Sequence, residues 1–149
     1  MCGIVGIYYF DSKRAVAKED LQVMADCIAH RGPDDAGYHI EGNVGIGMRR
    51  LSIIDISGGH QPIYTPDGRY VIVFNGEVYN FKEERTELER RGHSFGTHTD
   101  TEVVLHLYAE HGINFVDHMN GMFGLAIFDR TARELLIVRD RIGIKPLYY

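Results

Sequence analysis

Cysteine is nearly absent from this chain. The 149 residues contain only Cys2 and Cys27, too few for the disulfide framework of a small secreted protein. No stretch reaches the ~18 apolar residues needed to cross a membrane, and no basic segment precedes an apolar run at the N-terminus, so the cytosol is the expected address. Basic charge is also lacking. The net charge is -5, and the pairs Arg49-Arg50 and Arg90-Arg91 are too short to build the basic surface that phosphate binding requires, which excludes nucleic acid as a partner. Eight histidines are present, but no His-Glu-x-x-His or Cys-x-x-Cys spacing accompanies them, and His106 and His111 are five apart, on different faces of one helix. No metal site is expected. No repeat, linker or low-complexity segment divides the chain.

The balance of 44% hydrophobic and 25% charged residues is that of a folded globular protein. At this length one domain can bury roughly 70% of its unfolded surface without staples. Gly3–Phe10, rich in β-branched and aromatic residues, reads as a strand. Leu21, Met24, Ala25 and Ile28 recur at helical spacing and predict a helix over Lys18–His30, with Cys27 as a small buried residue within it. Arg31–Gly37 is a breaker-rich loop. Tyr38–Ile40 and Val44–Met48 form a predicted hairpin, and Ser57–Pro62 is a turn cluster that lacks the residues of a phosphate loop.

The apolar run Tyr70–Phe74 predicts a strand buried on both faces that delivers Asn75, Gly76 and Glu77 to its far end. A helix over Lys82–Arg91 follows, then one starting near Thr99–Glu102, then a short helix around Ile113–Met119. Strands over Met122–Phe128 and Glu134–Val138 complete the pattern.

Cys2 lies one residue from the translation start. On position alone it is either an incidental small residue on an edge strand or, once Met1 is removed, a thiol nucleophile beside a free α-amine. With a pKa of about 7.7 to 8.0 that amine is roughly a tenth to a sixth neutral at pH 7, enough to act as a general base toward a thiol whose ordinary pKa is about 8.5. The arginine pair at Arg49-Arg50 offers either a solvated surface or a bidentate carboxylate clamp. Asn75 and Gly76 offer either a hairpin turn or two donors, an amide and an unobstructed main-chain N–H, converging on an oxyanion. Asp100 is either a helix cap or a partner for a ligand ammonium.

Six segments in one order carry more than any of them alone. They are Cys2 itself, Arg-Gly-Pro-Asp (Arg31–Asp34), Arg-Leu-Ser-Ile-Ile-Asp (Arg50–Asp55), Asn-Gly-Glu-Val-Tyr-Asn (Asn75–Asn80), Thr-Asp-Thr-Glu (Thr99–Glu102) and the Arg-Asp-Arg segment (Arg139–Arg141). Over essentially its whole length the chain resembles the glutaminase domain of class II glutamine amidotransferases, N-terminal-nucleophile hydrolases, and among them the asparagine synthetase type. The resemblance implies an α+β fold, a four-layer αββα sandwich of two antiparallel sheets. It implies Cys2 as nucleophile with its α-amine as base, and Asn75 and Gly76 as the oxyanion pair. Arg50 would bind the α-carboxylate of L-glutamine, Asp100 its ammonium, and Glu77 would help orient it.

The implied reaction is hydrolysis of the glutamine side-chain amide through a glutamyl thioester, with no cofactor for this half. Members of this type continue into an ATP-pyrophosphatase synthetase domain, which needs ATP and magnesium and accepts the ammonia. The chain ends at Tyr149, so residues 1–149 are expected to be the glutaminase domain without it, cut at a domain boundary. Glutaminase activity without ammonia transfer is then expected unless a partner supplies the synthetase half. A homodimer, another amide substrate, another ammonia acceptor, and a catalytically silent docking or regulatory module of the same fold remain alternatives. Two departures from the family pattern bear on pocket detail: Met48 stands where many members have histidine, and Thr65-Pro66 replaces a commoner small polar pair.

Overall fold

The computed structural model describes residues 2–51 and 59–149. Met1, the Ser-Ile-Ile-Asp part of the second arginine motif, and Ser57 and Gly58 of the turn cluster lie outside the described residues. The elements are strands β1 (Gly3–Tyr8), β2 (Asp35–Glu41), β3 (Val44–Arg50), β4 (Ile63–Tyr64), β5 (Tyr70–Val78), β6 (Gly121–Asp129) and β7 (Glu134–Arg139), with helices α1 (Lys18–Cys27), α2 (Phe81–Arg90) and α3 (Asp100–His111). Short 3-10 turns follow α1 and α3. All strand pairs are antiparallel, in two sheets ordered β1-β3-β2 and β4-β5-β6-β7.

Alternation along the strands sorts the side chains into layers. Val44, Ile46 and Met48 of β3 meet Val71 and Val73 of β5 and Ala126 and Phe128 of β6 between the sheets. On β3, Gly45 faces the other way, where its missing side chain makes room for Val16 and Leu21, and α1 packs there through Leu21 and Ala25. On the opposite side of β5 and β6, Ile72, Phe74, Val78, Leu125 and Ile127 pack against Leu88 of α2 and Val103, Val104 and Leu107 of α3. The result is four layers, helix, sheet, sheet, helices, as the resemblance implied. Full burial of each large apolar side chain is worth roughly 1.5–3 kcal/mol, so the two apolar layers dominate the stability.

Three local expectations change. Cys27 is exposed, because the face that α1 buries runs through Leu21 and Ala25, and two residues beyond Ala25 the helix has turned about 200° away. The strand at Tyr70 does not stop at Phe74. It continues to Val78, since Gly121–Phe123 of β6 pair with Glu77, Val78 and Gly76 and extend the ladder. The segment between α1 and β2 is shifted toward the N-terminus rather than shortened: α1 ends at Cys27 and not His30, and pairing of Asp35 and Ala36 with Arg50 and Arg49 starts β2 before Tyr38.

Candidate active site

Cys2 immediately precedes β1, and the alternation that points Ile4 between the sheets points Cys2 there too. Three contacts fix it. The Leu51 N–H donates to Cys2 Sγ at 3.4 Å, Sγ lies 3.7 Å from the Leu51 carbonyl, and Arg31 Nε donates to the Cys2 carbonyl at 3.1 Å. Arg31 belongs to the Arg-Gly-Pro-Asp loop, which presses on β3 so closely that a Cβ on Gly32 would overlap the Arg49 carbonyl. Asp34 N–H in turn donates to the Arg50 carbonyl at 3.1 Å. This loop therefore braces the main chain of both Cys2 and Arg50. Arg50 itself is 6% exposed.

The edge of β5 supplies the second wall. In an antiparallel ladder the main-chain groups of alternate residues point to the same side. Going along β5, Tyr70 bonds Thr65, Ile72 pairs with Ile63, and the Phe74 N–H donates to Gln61 Oε1 at 2.7 Å. Val78, four residues on, donates its N–H to Asp100 Oδ2 at 3.0 Å. Gly76 lies between them with the same orientation. Its cross-strand partner Phe123 has both main-chain groups engaged by Asp140, its N–H with Oδ2 at 3.2 Å and its carbonyl with the Asp140 N–H at 2.8 Å. The Gly76 N–H thus faces away from β6, at the one step of this edge that no described residue claims.

Glycine at this position also has a packing role, since a Cβ would overlap the Met122 carbonyl. The open N–H follows from the end of the β4 edge rather than from the missing side chain alone.

The third wall is the start of α3. Thr99 is its cap, accepting from the Glu102 N–H at 3.3 Å, which leaves Asp100 in the first turn with its carboxylate turned to β5. Burial pushes the Asp100 carboxyl above the ordinary carboxylate range. The Val78 and Thr101 N–H groups oppose that rise and the nearby Glu77 charge adds to it. Glu102 holds the preceding loop through the N–H groups of Gly96 (2.8 Å) and Thr97 (2.7 Å) and the Thr97 hydroxyl (2.7 Å).

One pocket joins these walls. Cys2, Arg50, Gly76, Glu77 and Asp100 all line it, so five of the six residues singled out from sequence come together from the residue before β1, the end of β3, β5 and the first turn of α3. Asn75 does not line this pocket. Its side chain, one position out of step with Gly76, lies on a neighbouring apolar cavity bounded by Gly3–Gly6 of β1 and Ala126, and no described residue hydrogen-bonds its amide. Met48 and Thr65 are not in the pocket. Met48 is buried between the sheets, and Thr65 is tied to Asp67 and Tyr70. Among the described residues no group of three or more His, Cys, Asp or Glu is arranged to hold a metal ion, and no helix is long and apolar enough to cross a membrane.

A family model for the glutamine amidotransferase domain matches residues 1–149. The chain belongs to the glutamine amidotransferase family. Its relatives include asparagine synthetase [glutamine-hydrolyzing] 2 of Bacillus subtilis (strain 168), 48% identical over all of this chain and 20% of that protein. Another is asparagine synthetase [glutamine-hydrolyzing] 1 of the same organism, 44% identical over all of this chain and 24% of that protein. Asparagine synthetase [glutamine-hydrolyzing] 3 of Arabidopsis thaliana is 37% identical over 99% of this chain and 25% of that protein. The amidotransferase chain thus spans a fifth to a quarter of these relatives. The fold matches that of the glutamine phosphoribosylpyrophosphate amidotransferase of B. subtilis, with a TM-score of 0.78 at 20% identity over 98% of this chain and 38% of that one.

Residues that sequence reading passed over include Leu51 and Gln61. Leu51 acts through its main chain, which no side-chain pattern marks. Gln61 lies in the predicted turn cluster, and its partners Phe74 and Thr101 are distant in sequence.

Proposed function

We propose that this amidotransferase domain hydrolyses the side-chain amide of L-glutamine to glutamate and ammonia. The observation that carries this reading is the convergence of Cys2, Arg50, Asp100 and the unclaimed Gly76 N–H on one pocket. Arg50 pairs with the substrate carboxylate, and Asp100, with Glu77 beside it, pairs with the ammonium. The amide is thereby brought to Cys2 and attack becomes effectively intramolecular. Removal of Met1 frees the Cys2 α-amine, which takes the thiol proton. Sulfur then adds to the amide carbon, and Gly76 N–H, with Asn75 turning its unpaired amide toward the same oxygen, stabilises the oxyanion.

The C–N bond breaks as the amine returns the proton to nitrogen, releasing ammonia and leaving the glutamyl thioester. Water cleaves the thioester to glutamate and restores the thiol. Atoms and charge balance without a metal or organic cofactor in this half. The relatives' names, asparagine synthetase [glutamine-hydrolyzing], support ammonia delivery to a synthetase region that makes asparagine. Use of ATP and magnesium by that region is what the family resemblance implies, and a cytosolic setting suits the free thiol.

The test is glutamate release from glutamine by material whose intact mass shows Met1 removed. Release that Cys2→Ala abolishes, together with labelling by a glutamine-like electrophile at Cys2 and not Cys27, supports the reading. No release from the processed chain overturns it in favour of a silent module of the same fold.

A further inference from the structure

The Gln61 side chain stands in for a strand residue. Strand β4 pairs with β5 only at Ile63 and Tyr64, and the next pairing position along that edge belongs to Phe74. There the Gln61 side-chain amide takes both main-chain groups of Phe74, accepting from its N–H at 2.7 Å and donating to its carbonyl at 3.3 Å. The second hydrogen of Nε2 goes to Thr101 Oγ1 at 3.2 Å. Because the Phe74 N–H can only donate, Oε1 must face it, so the amide has one orientation and all three of its bonds are specified. Gln61 is 5% exposed, and Gln61, Phe74 and Thr101 all line the pocket.

We propose that Gln61 is a positioning residue for glutamine hydrolysis, setting the Gly76 N–H at a fixed separation from the Asp100 carboxylate. This rests on the glutaminase reading above. The two ends of the link are adjacent to the two groups it sets. Phe74 is two residues before Gly76 on the same strand edge, and Thr101 follows Asp100 in the first turn of α3. Gly76 makes its bond only when the oxyanion forms, so loosening Phe74 acts on kcat. Asp100 holds the ammonium in ground and transition states alike, so loosening Thr101 acts on KM. The buried amide thus couples the donor to the binding carboxylate from the Phe74 side, as the Val78 N–H bond to Asp100 Oδ2 does from the other side of Gly76. Only glutamine fits: asparagine is too short, and glutamate would turn a lone pair toward the Phe74 carbonyl.

The experiment compares glutamate release by the full chain, Met1 removed, with that of Gln61→Met, which keeps length and bulk but no hydrogen bond. A fall in kcat of at least tenfold with a rise in KM of at least threefold is expected. Values within twofold of the parent overturn the inference while leaving the glutaminase reading intact. A parent chain that releases no glutamate overturns that reading and the inference with it. Should Gln61→Met fail to fold, the pair Thr101→Val and Thr101→Ser decides. Loss of the hydroxyl acceptor in the valine variant raises KM at least threefold over the serine variant, and equal KM values overturn the link.

Discussion

Arg31 donates from Nε to the carbonyl of Cys2 at 3.1 Å, across 29 residues of sequence. The contact places the Arg-Gly-Pro-Asp loop directly behind the residue proposed as nucleophile. A lysine keeps the charge but replaces the planar guanidinium with a flexible ammonium, so the carbonyl of Cys2 is held less firmly. Arg31→Lys is expected to lower kcat for glutamine about tenfold with a smaller change in KM, since Arg31 does not line the pocket. Steady-state glutamate release measures both. A change confined to KM would show that the loop acts on substrate binding instead.

Gly32 tests the same loop from its backbone. Its φ of -147° is extended and open to any residue, so the demand for glycine is purely steric: a Cβ would overlap the Arg49 carbonyl and the Arg50 nitrogen. Neither atom belongs to a flexible side chain. Gly32→Ala is expected to cost about 2–4 kcal/mol, at the upper end for single substitutions, because β3 and the loop must separate. Gly124→Ala is the contrast, since nothing approaches its Cβ position closer than 3.8 Å. Urea unfolding of the two variants should separate them clearly, and equal midpoints would contradict the packing described here.

The parts of this fold that were readable in the sequence are those set by local periodicity. Val44, Ile46 and Met48 alternate with Gly45 and Gly47 and predict β3, and the unbroken run Val71–Phe74 predicts a strand with no solvent face; all four of those residues are buried. What was not readable depends on partners far along the chain. Strand β5 runs on through Asn75–Val78 only because β6, more than 40 residues later, pairs with it. The two residues of β4 are too few to show a period. Gln61 finds its partners 13 and 40 residues away, so its neighbours in sequence say only "turn". The pocket residues Arg50 and Asp100 were recognisable from motif order, but which wall each occupies required the register of β3 and the start of α3.

Asp100 sets a stability cost against a binding role. Burial raises its pKa above the unfolded value, so the group favours the folded state fully only below the ordinary carboxylate range, and that contribution is lost as pH rises through the raised value. At neutral pH the buried charge is therefore a net cost in the unliganded domain. Asp100→Asn retains an oxygen for the Val78 N–H and removes the charge, so a higher melting temperature at pH 7 is expected, with a difference that shrinks toward acid. The same variant should lose glutamine affinity, seen as a large rise in KM. In the parent, KM should rise on acidification at a pH above that of an ordinary aspartate. A parent with flat KM down to the ordinary range would remove Asp100 from ammonium binding.

Asp140 behaves in the opposite sense. Its Oδ1 accepts from the Ile144 N–H at 2.8 Å, and its Oδ2 from the N–H groups of Lys145 at 2.9 Å and Phe123 at 3.2 Å. Burial pushes its pKa up, but the main-chain donors of Lys145, Ile144, Phe123 and Gly143 outweigh that and hold it below the usual range. Its stabilisation is present above the ordinary carboxylate pKa and is lost as pH falls through the lowered value. Asp140→Ala leaves buried N–H groups without their acceptor and is expected to cost about 2–4 kcal/mol at pH 7. Because Asp140 also engages Phe123 across from Gly76, the variant should lower kcat as well. The gap in urea midpoint between parent and variant should narrow as the pH falls below the ordinary aspartate range and the carboxylate becomes protonated. A stability gap that stays constant from pH 7 into that range would mean that the Asp140 contacts hold the chain by packing and not by charge.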